Sequence, residues 1–216
     1  MAGREVGSVT LVAVSKTFPA EAVVLAREAG LFHFGENRIQ EAEAKIPQVA
    51  ALSRGVAGDP VWHLIGHLQT NKAGKAVELF DLIHTIDSPA LAAAVAHRAA
   101  AINKQQRVLV QVNCSGEPQK SGCRPEEAQE LVRTVATHPE LALEGFMTIG
   151  PRNENPESAR PAFQQCRALR DEIAKSQTLK LPHLSMGMSN DLEVAIEEGA
   201  TLIRLGSSLF GHRPSP

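Results

Sequence analysis

Eight short apolar runs alternate with stretches of helical period along this 216-residue chain, and that alternation constrains the fold more than any single motif. The strand-like runs lie at 9–14 (VTLVAV), 31–35 (LFHFG), 61–66 (VWHLIG), 81–86 (DLIHTI), 107–113 (RVLVQVN), 142–149 (ALEGFMTI), 183–187 (HLSMG) and 201–206 (TLIRLG). Helical stretches fall between them, at 19–29, 36–46, 71–79, 89–102, 125–137, 156–176 and 189–198. The runs are apolar at consecutive positions, as parallel strands covered on both faces should be. Eight strands alternating with helices predict a (β/α)8 barrel, formed by residues 1–216 as one domain. The competing fold, an open doubly wound sheet, lacks its best cue, because no G-x-G-x-x-G follows the first strand.

Helix starts carry their own signals. Ser88-Pro89 offers a cap and then a proline in the first turn, and Pro125 and Pro156 are each followed by glutamate. SRGVAGDP (53–60) and GPRNENPES (150–158) read as surface loops and not as domain boundaries. There is no internal repeat.

Composition excludes several functional classes. Net charge is -2, aromatics make up 4% and no Lys/Arg block occurs, so a dedicated nucleic-acid binder is not expected. No apolar run is long enough to span a bilayer, and MAGREVGSVT lacks the apolar stretch of a secretion signal. Three cysteines, Cys114, Cys123 and Cys166, show no C-x-x-C spacing, so neither a disulfide framework nor a zinc site is expected, and the cytoplasm is the natural compartment. His63 and His67 have the four-residue spacing that binds zinc on a helix, but VWHLIGH reads as a strand and a turn.

In a (β/α)8 barrel, function collects at the C-terminal ends of the strands, with phosphate sites after strands 7 and 8. Lys16 ends the first run (LVAVSK). Closure pairs the first strand with the eighth, which brings Lys16 toward Arg204 and the Gly206-Ser207-Ser208 turn. Gly187-Met188-Ser189 forms a similar small-residue turn, and both offer backbone N–H groups and a hydroxyl to a phosphate. Apolar walls around Lys16 favour the neutral amine that attacks an aldehyde. An amine and a phosphate cradle together suggest pyridoxal 5'-phosphate. Arg204 shares a face with Leu202 and Gly206, so its guanidinium points into the barrel. Such a group donates hydrogen bonds and accepts none, and against a pyridine nitrogen it would keep that nitrogen unprotonated.

Other positions carry two readings each. Ser189 is a phosphate ligand or a helix N-cap, with Asp191 and Glu193 as first-turn acids. Asn37 is a ligand to a ring hydroxyl or a helix cap. Met147 lies against a ring or packs in the core. Lys120, in NCSGEPQKSG, is an exposed loop lysine or a second amine that receives the aldehyde.

The segments LVAVSKTFPAE (11–21), FGENRIQE (34–41), WHLIGHLQTNK (62–72), VNCSGEPQKSG (112–122), EGFMTIG (144–150) and LSMGMSNDLEVAIEEGATLIRLGSSLFG (184–211) resemble the pyridoxal phosphate homeostasis protein family, in order and over nearly the full length. The resemblance implies a barrel related to the N-terminal domain of fold-type III pyridoxal enzymes such as alanine racemase. It implies a Schiff base on Lys16, phosphate held by Ser189, Gly206 and Ser207, and Arg204 at the pyridine nitrogen. It further implies a carrier and buffer in vitamin B6 and amino-acid homeostasis without established catalysis, working as a monomer or weak dimer, with apo-enzymes that use the cofactor as candidate recipients. The family's extra helix before the first strand is expected to be absent or truncated. Related racemases use a lysine and a tyrosine from a second domain, whereas this chain contains no tyrosine. A small racemase-like enzyme is the alternative, and a barrel for another phosphorylated metabolite is a third.

Overall fold

The computed structural model describes residues 3–53 and 58–211. Eight parallel strands close into one barrel in sequence order, with β1 paired to β8. The strands are β1 (Thr10–Val14), β2 (His33–Glu36), β3 (Val61–Leu64), β4 (Leu82–Ile86), β5 (Gln106–Gln111), β6 (Leu141–Met147), β7 (His183–Ser185) and β8 (Leu202–Leu205). The helices are α1 (Ala20–Glu28), α2 (Ile39–Leu52), α3 (Ala73–Leu79), α4 (Pro89–Ala101), α5 (Ala128–Ala136), α6 (Arg160–Ser176), α7 (Leu192–Glu197) and the single turn α8 (Ser207–Phe210). The described residues ahead of β1 contain turns and no helix. The centre of the loop expected at 53–60 lies outside the described residues.

Side chains divide the strands between two cores. Val108 and Val110 of β5, and Ile203 and Leu205 of β8, join the large apolar layer under the helices. Their neighbours turn inward, where Val12, Leu82, Leu109, Met147 and Leu202, from five different strands, form a separate cluster inside the barrel. Helices bury one stripe each: in α4 it is Leu91, Ala92, Val95, Ala96 and Ala99, and in α5 it is Ala128, Leu131, Val132 and Val135. Burying such stripes and both strand faces removes apolar surface from water at roughly 25 cal/mol per Å2, the main force holding the barrel closed.

Ser88 caps α4, accepting a hydrogen bond from Leu91 N–H, and Pro89 follows it. The proline signals at 125 and 156 open short 3-10 turns that continue into α5 and α6. One helix differs from expectation: α2 begins at Ile39 and runs through Pro47 to Leu52 instead of ending at 46. Its buried stripe of Ile39, Ala42 and Lys45 continues to Val49, and that packing outweighs the hydrogen bond that proline cannot donate.

Candidate functional site

A cavity of about 350 Å3 opens at the C-terminal ends of the strands, within the range of small-molecule sites. Val14 and Lys16 line it from the end of β1, Asn37 from the end of β2, and Ile65 and Ile149 from the ends of β3 and β6. Met188, Ser189 and Asn190 come from the turn after β7, and Arg204, Gly206 and Ser207 from β8 and its turn. Six residues singled out in the sequence thus surround one space. The seventh, Met147, sits fully buried in the barrel's inner cluster and is not among the lining residues.

Closure of the barrel creates this meeting. Val12 pairs with Arg204 and Ala13 with Leu205, so the chain that continues to Lys16 runs beside the one that continues to Gly206-Ser207. Arg204 is 4% exposed. Its Nη1 donates to Ser185 Oγ at 2.6 Å and its Nη2 to the Thr148 carbonyl at 3.0 Å. Burial pulls its pKa down to about 10, against the pull of Asp191 and Cys166, so it remains a cation at neutral pH. Two of its five N–H donors are engaged at Ser185 and Thr148.

The segment that carries Lys16 is pinned on both sides. Ser15 Oγ donates to Glu36 Oε1 at 2.7 Å, and Lys45 Nζ donates to the Ser15 carbonyl at 2.7 Å. Lys45 also reaches Glu36 at 2.6 Å and Glu41 at 3.0 Å. Thr17, at φ 69, donates its backbone N–H to Glu41. Burial raises the Glu36 pKa, and Lys45 and Ser15 oppose that shift. The sequence reading missed this triad. The available signal was Lys45 itself, a lysine on the apolar stripe of α2, where a buried charge needs a partner.

Ser189 and Asn37 are not helix caps. Asp191 occupies the N-cap of α7 and accepts from Met188 N–H at 2.6 Å, because its carboxylate reaches back over the turn. Arg38 takes the N-cap position of α2 without a side-chain bond. Asn37 Oδ1 is buried with no hydrogen-bond partner among the described residues. Its backbone is fixed by Gly66, where a Cβ would stand 2.1 Å from the Asn37 carbonyl oxygen. Gly187 is required twice, by φ +91 and by Ala195 Cβ only 2.5 Å from where its own Cβ would be.

Lys120 is neither exposed nor in the cavity. It pairs with Glu117 and donates to the Gly150 carbonyl at 2.6 Å, tying the loops after β5 and β6 together. His63 points into the barrel, while His67 sits in the following turn, 3.5 Å from Asp87. Among the described residues, no group of three or more His, Cys, Asp or Glu is placed to hold a metal ion.

Residues 2–214 match the family model described as alanine racemase, N-terminal domain. A pyridoxal phosphate homeostasis protein of Aquifex aeolicus is 44% identical over 212 residues, covering 98% of this chain and 90% of its own length. The chain belongs to the pyridoxal phosphate homeostasis protein family. The Escherichia coli family member is 42% identical over 214 residues, covering 98% of this chain and 88% of its own. PipY of Synechococcus elongatus, solved with pyridoxal phosphate bound, superposes with a TM-score of 0.86 at 38% identity, over 96% of this chain and 95% of PipY. An alanine racemase of Clostridium difficile matches at TM-score 0.74 and 15% identity, over 96% of this chain and 53% of its own. At that identity the racemase shares the family's barrel, and the likeness is one of fold.

Proposed function

We propose that this protein binds pyridoxal 5'-phosphate in the cavity at the β1–β8 seam and serves as its carrier and buffer, without catalysis of its own. One observation carries the reading: Lys16 from the first strand and Arg204, Gly206 and Ser207 from the last line the same cavity. The residues present fit the group. Lys16 supplies the amine that condenses with the aldehyde to a Schiff base, with loss of water. Ser189, Gly206 and Ser207 supply hydroxyl and backbone N–H donors for the phosphate. Arg204 supplies a permanent donor to the pyridine nitrogen, which weakens the ring as an electron sink and fits storage better than carbanion chemistry. Asn37 Oδ1, a buried acceptor without a partner among the described residues, suits the ring hydroxyl.

The racemase alternative needs a second base across the substrate from the lysine, and the chain has no tyrosine to supply it. No helix among the described residues is long and apolar enough to cross a membrane. The reading places the protein in the cytoplasm, handing cofactor to apo-enzymes that need it.

Borohydride reduction followed by peptide mapping tests ligand and attachment together. The wild type should turn yellow with pyridoxal phosphate and carry the reduced adduct on Lys16, and Lys16→Ala should lose most of the label. Full labelling of Lys16→Ala would refute the site. Lys16-dependent exchange of amino-acid α-protons in deuterated water would favour the enzyme instead.

A further inference from the structure

A row of polar side chains runs through the barrel interior beside its apolar cluster and ends on Arg204. His33 Nδ1 lies 3.0 Å from His63 Nε2, His63 Nδ1 lies 2.8 Å from His84 Nε2, and His84 Nδ1 lies 2.9 Å from Ser185 Oγ. Ser185 Oγ in turn accepts from Arg204 Nη1 at 2.6 Å. His63, His84 and Ser185 are 1%, 0% and 0% exposed, and His33 at the outer end is half-buried. The chain thus crosses from the first residue of β2, through β3, β4 and β7, to β8. None of these residues except Arg204 lines the cavity.

The hydrogen-bond directions follow from the Arg204 end. A guanidinium only donates, so Ser185 Oγ must accept from it. Among the described residues the hydroxyl's other partner is His84 Nδ1, and a fully buried hydroxyl proton without an acceptor bears its full desolvation cost. The Ser185 proton therefore points at His84 Nδ1, which must be a bare lone pair. His84 then carries its single proton on Nε2 and donates to His63 Nδ1. The same logic puts the His63 proton on Nε2, directed at His33 Nδ1.

We infer that Ser185, His84, His63 and His33 form a one-way hydrogen-bond chain that holds the Arg204 guanidinium in a fixed orientation, making Ser185 and His84 positioning residues for the site. The electrostatics agree with the geometry. Every ring presents its lone pair toward the cation, and a protonated imidazole on this path would repel it. Burial, followed by the neighbouring charged or ionisable groups, lowers the pKa of all three rings and keeps them neutral. Reversing the chain would turn a His84 N–H toward Ser185, leave the hydroxyl proton stranded, and loosen the contact with Arg204. The role for the cofactor rests on the proposed function, whereas the hydrogen-bond chain itself does not depend on it.

Nitrogen-15 NMR of the unloaded wild type tests the directions without any substitution. The Nε2–H tautomer is expected at both His63 and His84, and an Nδ1 proton on either ring at neutral pH overturns the inference. The Arg204 Nη resonances should be resolved from one another, as in a guanidinium whose rotation is blocked. In Ser185→Ala they should merge, and in Ser185→Thr, which restores the hydroxyl, they should separate again. Unchanged Arg204 signals in Ser185→Ala also overturn it. If Ser185→Ala fails to fold, the wild-type tautomers and the threonine variant decide. With pyridoxal phosphate added, Ser185→Ala should bind about three- to ten-fold more weakly, as expected for one displaced charge-assisted donor. A wild type that takes up no pyridoxal phosphate refutes the function proposed for the site, and the tautomers and Arg204 signals still decide the chain.

Discussion

Acid should unfold this barrel through its interior histidines. His63 is 1% exposed, and its pKa is pushed down to about 3, first by burial and then by His33, Arg107 and His183. His84 is fully buried and lies well below the ordinary value for the same leading reason. For a group depressed in the folded state, the unfolded chain binds the proton first. Stability is therefore complete above an unfolded pKa of 6.5 and is lost as pH falls toward the folded value. At about 1.36 kcal/mol per unit, lowering the pH to 5 costs about 2 kcal/mol for His63, and His84 adds to that cost in the same direction. That is a substantial part of the roughly 5–15 kcal/mol that holds a domain folded. Glu36 acts in the opposite sense, because its raised pKa gives stability at low pH that is lost as pH rises through the folded value. Comparing wild type with His63→Gln cancels such background, since glutamine keeps a donor and an acceptor but does not titrate. Urea unfolding at pH 7, 6 and 5 is the assay. The wild type should lose about 2 kcal/mol more than His63→Gln between pH 7 and 5, at constant m. Parallel pH profiles would show that His63 gains its proton in the native state as readily as in the unfolded one, and the argument from burial would fail.

Other perturbations test the scaffold and the site separately. Lys45→Met leaves Glu36 buried without its cation, since the pair's side chains are 6% and 0% exposed, and should cost roughly 3–5 kcal/mol in urea unfolding. Adding Glu36→Gln to Lys45→Met should return much of that loss, and no recovery would mean that packing of the lysine stem dominated. Gly66→Ala sets a methyl 2.1 Å from the Asn37 carbonyl oxygen, so the backbone must yield and stability should fall by about 3 kcal/mol. Asn37→Ala removes a buried oxygen that has no partner among the described residues, so stability should shift by no more than about 0.5 kcal/mol while pyridoxal phosphate binds about ten-fold more weakly. A fall in stability without a fall in affinity would assign Asn37 to the scaffold instead.

Period and strand closure were legible because they are one-dimensional signals. A run such as VLVQ announces a strand covered on both faces, and a closed barrel then puts residue 16 beside residues 204–207 whatever the chain between them does. Caps were legible where a small polar residue precedes proline, as at Ser88-Pro89 and Asn155-Pro156. Near Asn37 and Ser189 the N-cap falls on a later residue, Arg38 or Asp191, with no side-chain cap bond, and residue type alone does not say where the helix begins. Three-dimensional pairings left still less trace. Nothing in the spacing of His33, His63, His84 and Ser185 marks them as neighbours, because their contact is set by strand tilt and stagger across the barrel. Lys45 and Glu36 were visible only as a charge on an apolar stripe and a carboxylate at a strand end.

The two buried polar systems divide the work around the cavity. The Ser15–Glu36–Lys45 triad, together with Glu41, fixes the backbone on which Lys16 rides, through its neighbours Ser15 and Thr17. In the inferred histidine chain, Ser185 holds the guanidinium of Arg204 itself, and the donor proposed for a ring nitrogen would need such a fixed direction. Beside Lys16 it is the backbone that is pinned, and at Arg204 the side chain. An apolar interior would have made the barrel more tolerant of acid, since neither His63 nor His84 would then be exposed to protonation on unfolding. Leu or Val at position 84 would leave the Ser185 hydroxyl proton without its acceptor among the described residues, while Arg204 would still donate to Ser185 and Thr148.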